Sequence, residues 1–277
     1  ISSHAGVEHA RSLGIPVIVT DHHLPGDTLP AAEAIINPNL RDCNFPSKSL
    51  AGVGVAFYLM LALRTFLRDQ GWFDERGIAI PNLAELLDLV ALGTVADVVP
   101  LDANNRILTW QGMSRIRAGK CRPGIKALLE VANRDPQKLA ASDLGFALGP
   151  RLNAAGRLDD MSVGVALLLC DNIGEARVLA NELDALNQTR KEIEQGMQVE
   201  ALTLCEKLER SRDTLPGGLA MYHPEWHQGV VGILASRIKE RFHRPVIAFA
   251  PAGDGTLKGS GRSIQGLHMR DALERLD

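Results

Sequence analysis

The sequence predicts an α/β protein rich in helices: a parallel sheet at its start, one long connecting helix, and a small second α/β unit at its end. Three observations carry this. The apolar run "IPVIVT" stops abruptly at turn residues, as a strand of a parallel sheet does. From Gly174 to about Arg210, large apolar residues recur at steps of three, four or seven with no proline among them. Beyond "DTLPGG" the pattern changes to short apolar segments around one helical stretch, reading β-α-β-β-α.

The elements follow in order. "SSHAGVEHARSLG" reads as a short helix, with serine at the N-cap and Gly14 at the C-cap. "IPVIVT" is the next strand, and its unbroken apolar character predicts burial on both faces. Helix then strand is half of a βαβ unit, and "EAIINP" supplies a second short strand. A helix is expected from about Leu50 to Gln70, closed by Gly71. "NLAELLDLVAL" forms another, ending at a Gly-Thr turn that leads into "GTVADVVPL". Helices near Asn104–Arg117, Gly124–Asn133 and Ser142–Leu148 come next, and "LGPRLNAAGRLDD" is read as a loop after the last of them. "MSVGVALLLC" is half the roughly 20 residues of a membrane span and reads as a buried helix. The long helix carries its stripe on Leu179, Leu183, Leu186, Ile193, Met197, Leu204 and Leu208. In the tail, strands are expected at Leu219–Tyr222, Pro245–Ala250 and Thr256–Ser263, with helices at Gly229–Phe242 and from near His268. This gives segments 1–173, 174–214 and 215–277, with a boundary close to Leu215.

Composition narrows the function classes. The chain has 277 residues, 45% hydrophobic and 23% charged, the balance of a soluble globular protein. Aromatics make up only 4%, so the core is expected to be Leu, Val, Ile and Ala. No run is long enough for a membrane span, and the N-terminus has no signal-peptide pattern. Four dispersed cysteines form no C-x-x-C pair, which argues against a zinc site or a disulfide framework and for a cytoplasmic setting. Net charge is −3, yet from Asn104 to Arg157 ten basic residues face three acidic ones. Such a block fits a polyanion partner, and it fits a solvated helical face equally.

Residues able to do chemistry sit at the ends of these elements. Asp21, His22 and His23 follow the first strand, and side chains there alternate faces, so at least one must point outward. Ligands in open α/β sheets bind beyond the strands' carboxyl ends. Carboxylate with imidazole suits Mn²⁺, Zn²⁺ or Fe and is tolerable for Mg²⁺; a surface histidine pair would look the same in sequence. Asp97 lies between Val95–Ala96 and Val98–Val99, where a carboxylate is costly unless paired, metal-bound or capping the next helix. Arg151, Asn153 and Arg157, interleaved with Gly149, Pro150 and Gly156, could grip phosphate or form a salt-bridged loop between domains. His227 with its following glycines stands at a helix N-terminus, a natural anion site, while Arg262 and Ser263 follow a glycine-rich hairpin sequence.

Taken in order, "VIVTDHHLPG", "GTVADVVPL", "GPRLNAAGR", "HQGVVGILASR" and "GSGRSI" resemble the RecJ family of single-stranded-DNA-specific exonucleases, within the DHH phosphoesterase superfamily. The resemblance covers nearly the whole chain. It implies a DHH-type parallel sheet and a second, DHH-associated lobe, joined by the long helix with a DNA channel between them. It implies 5′→3′ hydrolysis of single-stranded DNA to mononucleotides in repair and recombination, with two Mn²⁺ or Mg²⁺ ions as cofactors. Carried over by position, His22 and Asp97 look like metal ligands, His23 like a contact to the scissile phosphate, and Asp21 like a residue that orients the pair or ligates. Arg151, Asn153 and Arg157 look like contacts to DNA phosphates, including the 5′ end; Arg262, Ser263 and His227 look like contacts from the second lobe. The family's earlier Asp-x-Asp and Asp-before-Asn-Gly motifs are not found here, nor is the oligonucleotide-binding domain expected beyond Asp277. The chain is therefore expected to be a fragment with weak metal affinity and negligible turnover by itself. Two other readings remain: a DHH phosphoesterase for short oligonucleotides or nucleotide phosphates, and a metal-free DNA-binding replication scaffold.

Overall fold

The first helix, α1 (His4–Ser12), follows Ser3 and gives way to Gly14 in the left-handed region, so the turn residues end it where the sequence expects. The computed structural model describes residues 1–212, 215–253 and 255–275. These divide into two units: Ile1–Pro150 with Val165–Asn181, and Arg151–Gly164 with Glu182–Asp277.

In the first unit, β1 (Ile18–Thr20) and β2 (Ala34–Ile36) pair in parallel, Ile18 opposite Ala34. The ladder continues past the strand ends, with the Asp21 amide donating to the Ile36 carbonyl at 3.1 Å. Burial of β1 on both faces does not hold. Ile18 is exposed and Val19 half-buried, because this sheet has two strands among the described residues.

Helices supply the core. Leu50 and Ala51 lead into α2 (Gly52–Asp69), which buries Val55 and Phe57, and the short α3 (Trp72–Glu75) follows. A 3₁₀ turn at Leu83–Leu86 opens α4 (Leu87–Ala96). The expected Gly-Thr turn is absent: α4 runs straight through Gly93 and Thr94. Gly93 serves packing, since a β-carbon there would lie 2.8 Å from Val53 Cγ1. Next come α5 (Ala103–Arg117), capped by the Asp102 carboxylate, and α6 (Pro123–Val131), which begins with proline at its first turn. Ile116, Ile125, Leu128 and Leu129 are fully enclosed.

The segment read as a loop is helical. A short α7 (Ala141–Asp143) passes into a π-helical stretch, Leu144–Leu148, and directly into α8 (Gly149–Leu158). Pro150 sits where the π-helical stretch passes into α8. The next helix, α9 (Ser162–Leu169), is only partly buried: Leu167 is enclosed, whereas Val165 and Leu169 face out.

The long helix is present as α10 (Ile173–Arg212). Its deepest line is not the leucine stripe as a whole. It runs through Ala176, Ala180, Leu183, Asn187, Glu194, Met197, Ala201 and Cys205, while Leu179, Leu186, Ile193, Leu204 and Leu208 flank it half-buried. Small side chains let neighbouring backbone come close, so the bulkier leucines lie along the margins.

In the second unit, β3 (Leu219–Tyr222) pairs in parallel with β4 (Val246–Pro251) across α11 (Val231–Phe242). The antiparallel β5 (Leu257–Arg262) completes the order β3-β4-β5, and α12 (Met269–Leu273) follows. Val246, Ala248 and Ala250 alternate inward on β4 against Leu234, Ala235 and Ile238 of α11. Among the described residues, no helix is long and apolar enough to cross a membrane.

Candidate functional site

Three residues beyond β1 and one at the end of α4 meet. Asp97 caps α4, its amide donating to the Gly93 carbonyl at 3.0 Å, and its carboxylate Oδ2 lies 3.3 Å from His22 Nε2. The His22 and His23 rings stand 4.3 Å apart, centroid to centroid. One donor atom from each of Asp21, His22 and His23 falls within a 4.8 Å span. Two imidazoles and the Asp21 carboxylate at this spacing, with Asp97 beside His22, are donors of the kind a divalent cation takes.

Asp21 acts mainly as an organiser. Its Oδ1 accepts from the His22 amide (2.7 Å), the His23 amide (3.1 Å) and His23 Nδ1 (2.7 Å). Its Oδ2 lies 3.1 Å from the Ile1 nitrogen. Partial burial pushes this carboxyl up, but the hydrogen bonds led by those from His23, with the His22 amide, outweigh it and hold the group well below the usual carboxylate range. With Nδ1 engaged by Asp21, His23 keeps Nε2 for another partner.

The end of α4 is held under strain. Val98, immediately after Asp97, has φ 60°, a left-handed conformation that a β-branched residue rarely adopts and that costs about 1–3 kcal/mol. The chain beyond is pinned: Asn105 Nδ2 donates to the Pro100 carbonyl (2.9 Å) and the Ser49 carbonyl (2.7 Å), and Ser47 Oγ donates to Asp102 Oδ2 (2.7 Å). Neither Val98 nor Asn105 stands out in the sequence, because a backbone angle and a buried amide leave no periodic trace. Asn37 and Asn39, at the end of β2, were also missed; their signal is the polar "NPN" closing an apolar strand.

The expected phosphate contacts all lie in the second unit, and most already have work. Arg151 Nε donates to Asp184 Oδ1 at 2.8 Å, while Asn153 is open on α8. Arg157 Nη1 donates to the Gly229 carbonyl at 3.1 Å, and a β-carbon on Gly229 would come 2.1 Å from the Arg157 carbonyl oxygen. Partial desolvation, then the nearby Arg190 and Arg262 charges, lower the Arg157 pKa against the opposing pull of Glu194. Glu194 is itself shared by Arg190 (2.6 Å) and Arg237 (3.0 Å). Arg262 donates to Ser236 Oγ, Ser260 Oγ and the Gly261 carbonyl. Ser263 donates to the Ile264 and Leu267 carbonyls. His227 does not stand at the helix start: α11 begins at Val231, and His227 Nδ1 accepts from the Gly229 amide in the preceding turn.

Part of the basic block has internal partners, while Arg117 and Arg134 themselves stay exposed. Arg122 pairs with the buried Asp88, Arg134 with Asp143, and Arg117 donates to the Leu139 carbonyl. Trp226 is 3% exposed and donates to Glu200, whereas Trp110 is open to solvent. Phe146, on the π-helical stretch, is 86% exposed and was not anticipated.

Residues 1–94 match the DHH family, N-terminal domain, and residues 216–277 match the DHHA1 domain. All 277 residues align at 99% identity with the single-stranded-DNA-specific exonuclease RecJ of Escherichia coli (strain K12), of which the chain spans 48%, about half the relative's length. Two RecJ crystal structures from Thermus thermophilus, both 35% identical, superimpose on the fold. The complex with Mn²⁺ has a TM-score of 0.77, with 99% of this chain and 38% of that one covered. The complex with Mg²⁺ has a TM-score of 0.72, covering 94% and 36%.

Proposed function

The chain belongs to the RecJ family, and from that premise we propose that it forms part of a metal-dependent 5′→3′ exonuclease that degrades single-stranded DNA to mononucleotides. The observation that carries this reading is the 3.3 Å approach of His22 Nε2 to Asp97 Oδ2, two groups far apart in the chain with no need of each other in the core. His22 and Asp97 are the ligands of a bound Mn²⁺ or Mg²⁺ ion. When bound, such ions activate water and stabilise charge on the attacking and leaving oxygens. His23, fixed by Asp21, presents its free nitrogen to the scissile phosphate.

In the second unit, three crowded guanidiniums, Arg157, Arg190 and Arg262, are relieved by a polyanion more than by water. A backbone-gripping surface of this kind holds a strand without reading its sequence. Action on DNA in repair and recombination, within the cytoplasm, is the setting this reading gives.

The test is degradation of 5′-phosphorylated single strands with Mn²⁺, using the protein extended to the full length of its relatives. Asp97→Ala or His22→Ala is expected to lower the rate by more than about a hundredfold, beyond the loss typical of an outer contact to a metal ligand, with the circular dichroism unchanged. Near-normal rates in either variant remove that residue from the metal seat. Preference for dinucleotides over long strands would favour the short-oligonucleotide reading instead.

A further inference from the structure

The backbone of His22 and His23 lies beyond the last ladder bond of β1, so no strand pairing fixes it. Four polar backbone groups there need partners. Both amides donate to Asp21 Oδ1. Both carbonyls are held from the other side: Asn39 Nδ2 donates to the His22 carbonyl at 2.6 Å and Asn37 Nδ2 to the His23 carbonyl at 2.8 Å. Three side chains therefore satisfy every backbone group of the pair.

The orientation of the asparagines follows from chemistry. A carbonyl only accepts, so each amide must turn its NH₂ toward the histidine it serves. Asn37 is locked further, since its Oδ1 accepts from the Asn39 amide at 2.8 Å, which must donate. Asn37 is also 3% exposed, so water does not compete for it. Pro38, between the two, has a fixed φ, and Lys48 Nζ donates to its carbonyl at 2.6 Å.

We propose that Asn37 and Asn39 are positioning residues for the metal seat, an amide clamp that sets the angle of both imidazoles by holding their peptide planes. This deepens the proposed function and rests on it. Holding both carbonyls fixes the peptide planes, hence the direction of each Cα–Cβ bond, and so aims His22 toward Asp97 and His23 toward the free face. Without the clamp the rings remain present but wander, and a cation finds its ligands at the right distance less often.

The test uses this chain labelled with ¹⁵N-histidine and Mn²⁺ as the probe, read by imidazole ring signals. Paramagnetic broadening is expected at His22 and His23 at lower Mn²⁺ than at the other six of the eight histidines. In Asn39→Ala and Asn37→Ala, the Mn²⁺ needed for half-broadening of that pair is expected to rise by about tenfold, the usual scale for an outer contact to a metal ligand. The signals of His223 and His268 serve as internal controls. Lys48→Met, which loosens the same loop and leaves both amide contacts, is expected to leave the midpoint unchanged. Unchanged midpoints in both asparagine variants overturn the clamp and leave the metal reading standing, and so does an equal loss in Lys48→Met. Broadening spread evenly over all histidines in the unaltered chain overturns the metal reading itself. Should Asn37→Ala fail to fold, the half-buried Asn39 carries the test.

Discussion

The histidine–aspartate site of the first unit and the arginine cluster of the second differ in how completely their polar groups are used. At the strand end, His23 has one ring nitrogen engaged, and the outer face of Asp97 is open. In the second unit, Arg151 is tied to Asp184, Arg157 to the Gly229 carbonyl, and Arg262 to two serines and a carbonyl. An imidazole has two nitrogens and a fixed ring, so one contact still leaves one site. A guanidinium has five N–H groups, and it can brace a fold and still face an anion. Residue type alone thus says more about a histidine at a strand end than about an arginine on a helix.

That contrast can be broken outright at Arg151. If its first duty is to Asp184, Arg151→Ala should cost about 1–3 kcal/mol, the scale of a charged hydrogen bond lost from a half-buried site. Thermal melting would then fall by several degrees, and any weakening of single-strand binding should track the melt. A variant that melts normally yet binds DNA poorly would move Arg151 from bracing to recognition.

Arg157 sharpens the comparison on a smaller scale. Crowded by Arg190 and Arg262, it should give up its share of repulsion to a phosphate. Arg157→Ala is expected to lower the slope of log affinity against log salt by about 1, uniformly across sequences. An unchanged slope, measured by titration at several salt concentrations, would make Arg157 another internal brace.

Much of this was readable from sequence, and the reasons are physical. The tail's β-α-β-β-α order and the span of α10 follow from periodicity sustained over several turns or strands, which the structure reproduces within a few residues. The meeting of His22 and Asp97 came from motif order. Three features were hidden. "GPRLNAAGR" carries loop punctuation, yet the π-helical stretch passes straight into α8 through Pro150. Burial of β1 depends on how many strands flank it, which its own residues do not state. On α10 the buried line takes in alanines and also Asn187 and Glu194, two polar groups that a hydrophobic stripe overlooks and that Arg190 contacts. The asparagine clamp leaves only single polar letters after a strand.

Among the described residues, Val98 is the one β-branched residue held at a left-handed backbone angle, and its neighbour is Asp97, the proposed metal ligand. Val98→Gly would free the backbone to take the same angle without penalty, so melting should rise by an amount comparable to the strain removed, about 1–3 kcal/mol. Glycine also brings freedom the valine denies, and Asp97 would no longer be held so firmly. A hardier protein with a slower reaction, seen by calorimetry beside a nuclease assay, would mean that selection has kept an awkward joint for the sake of where it aims.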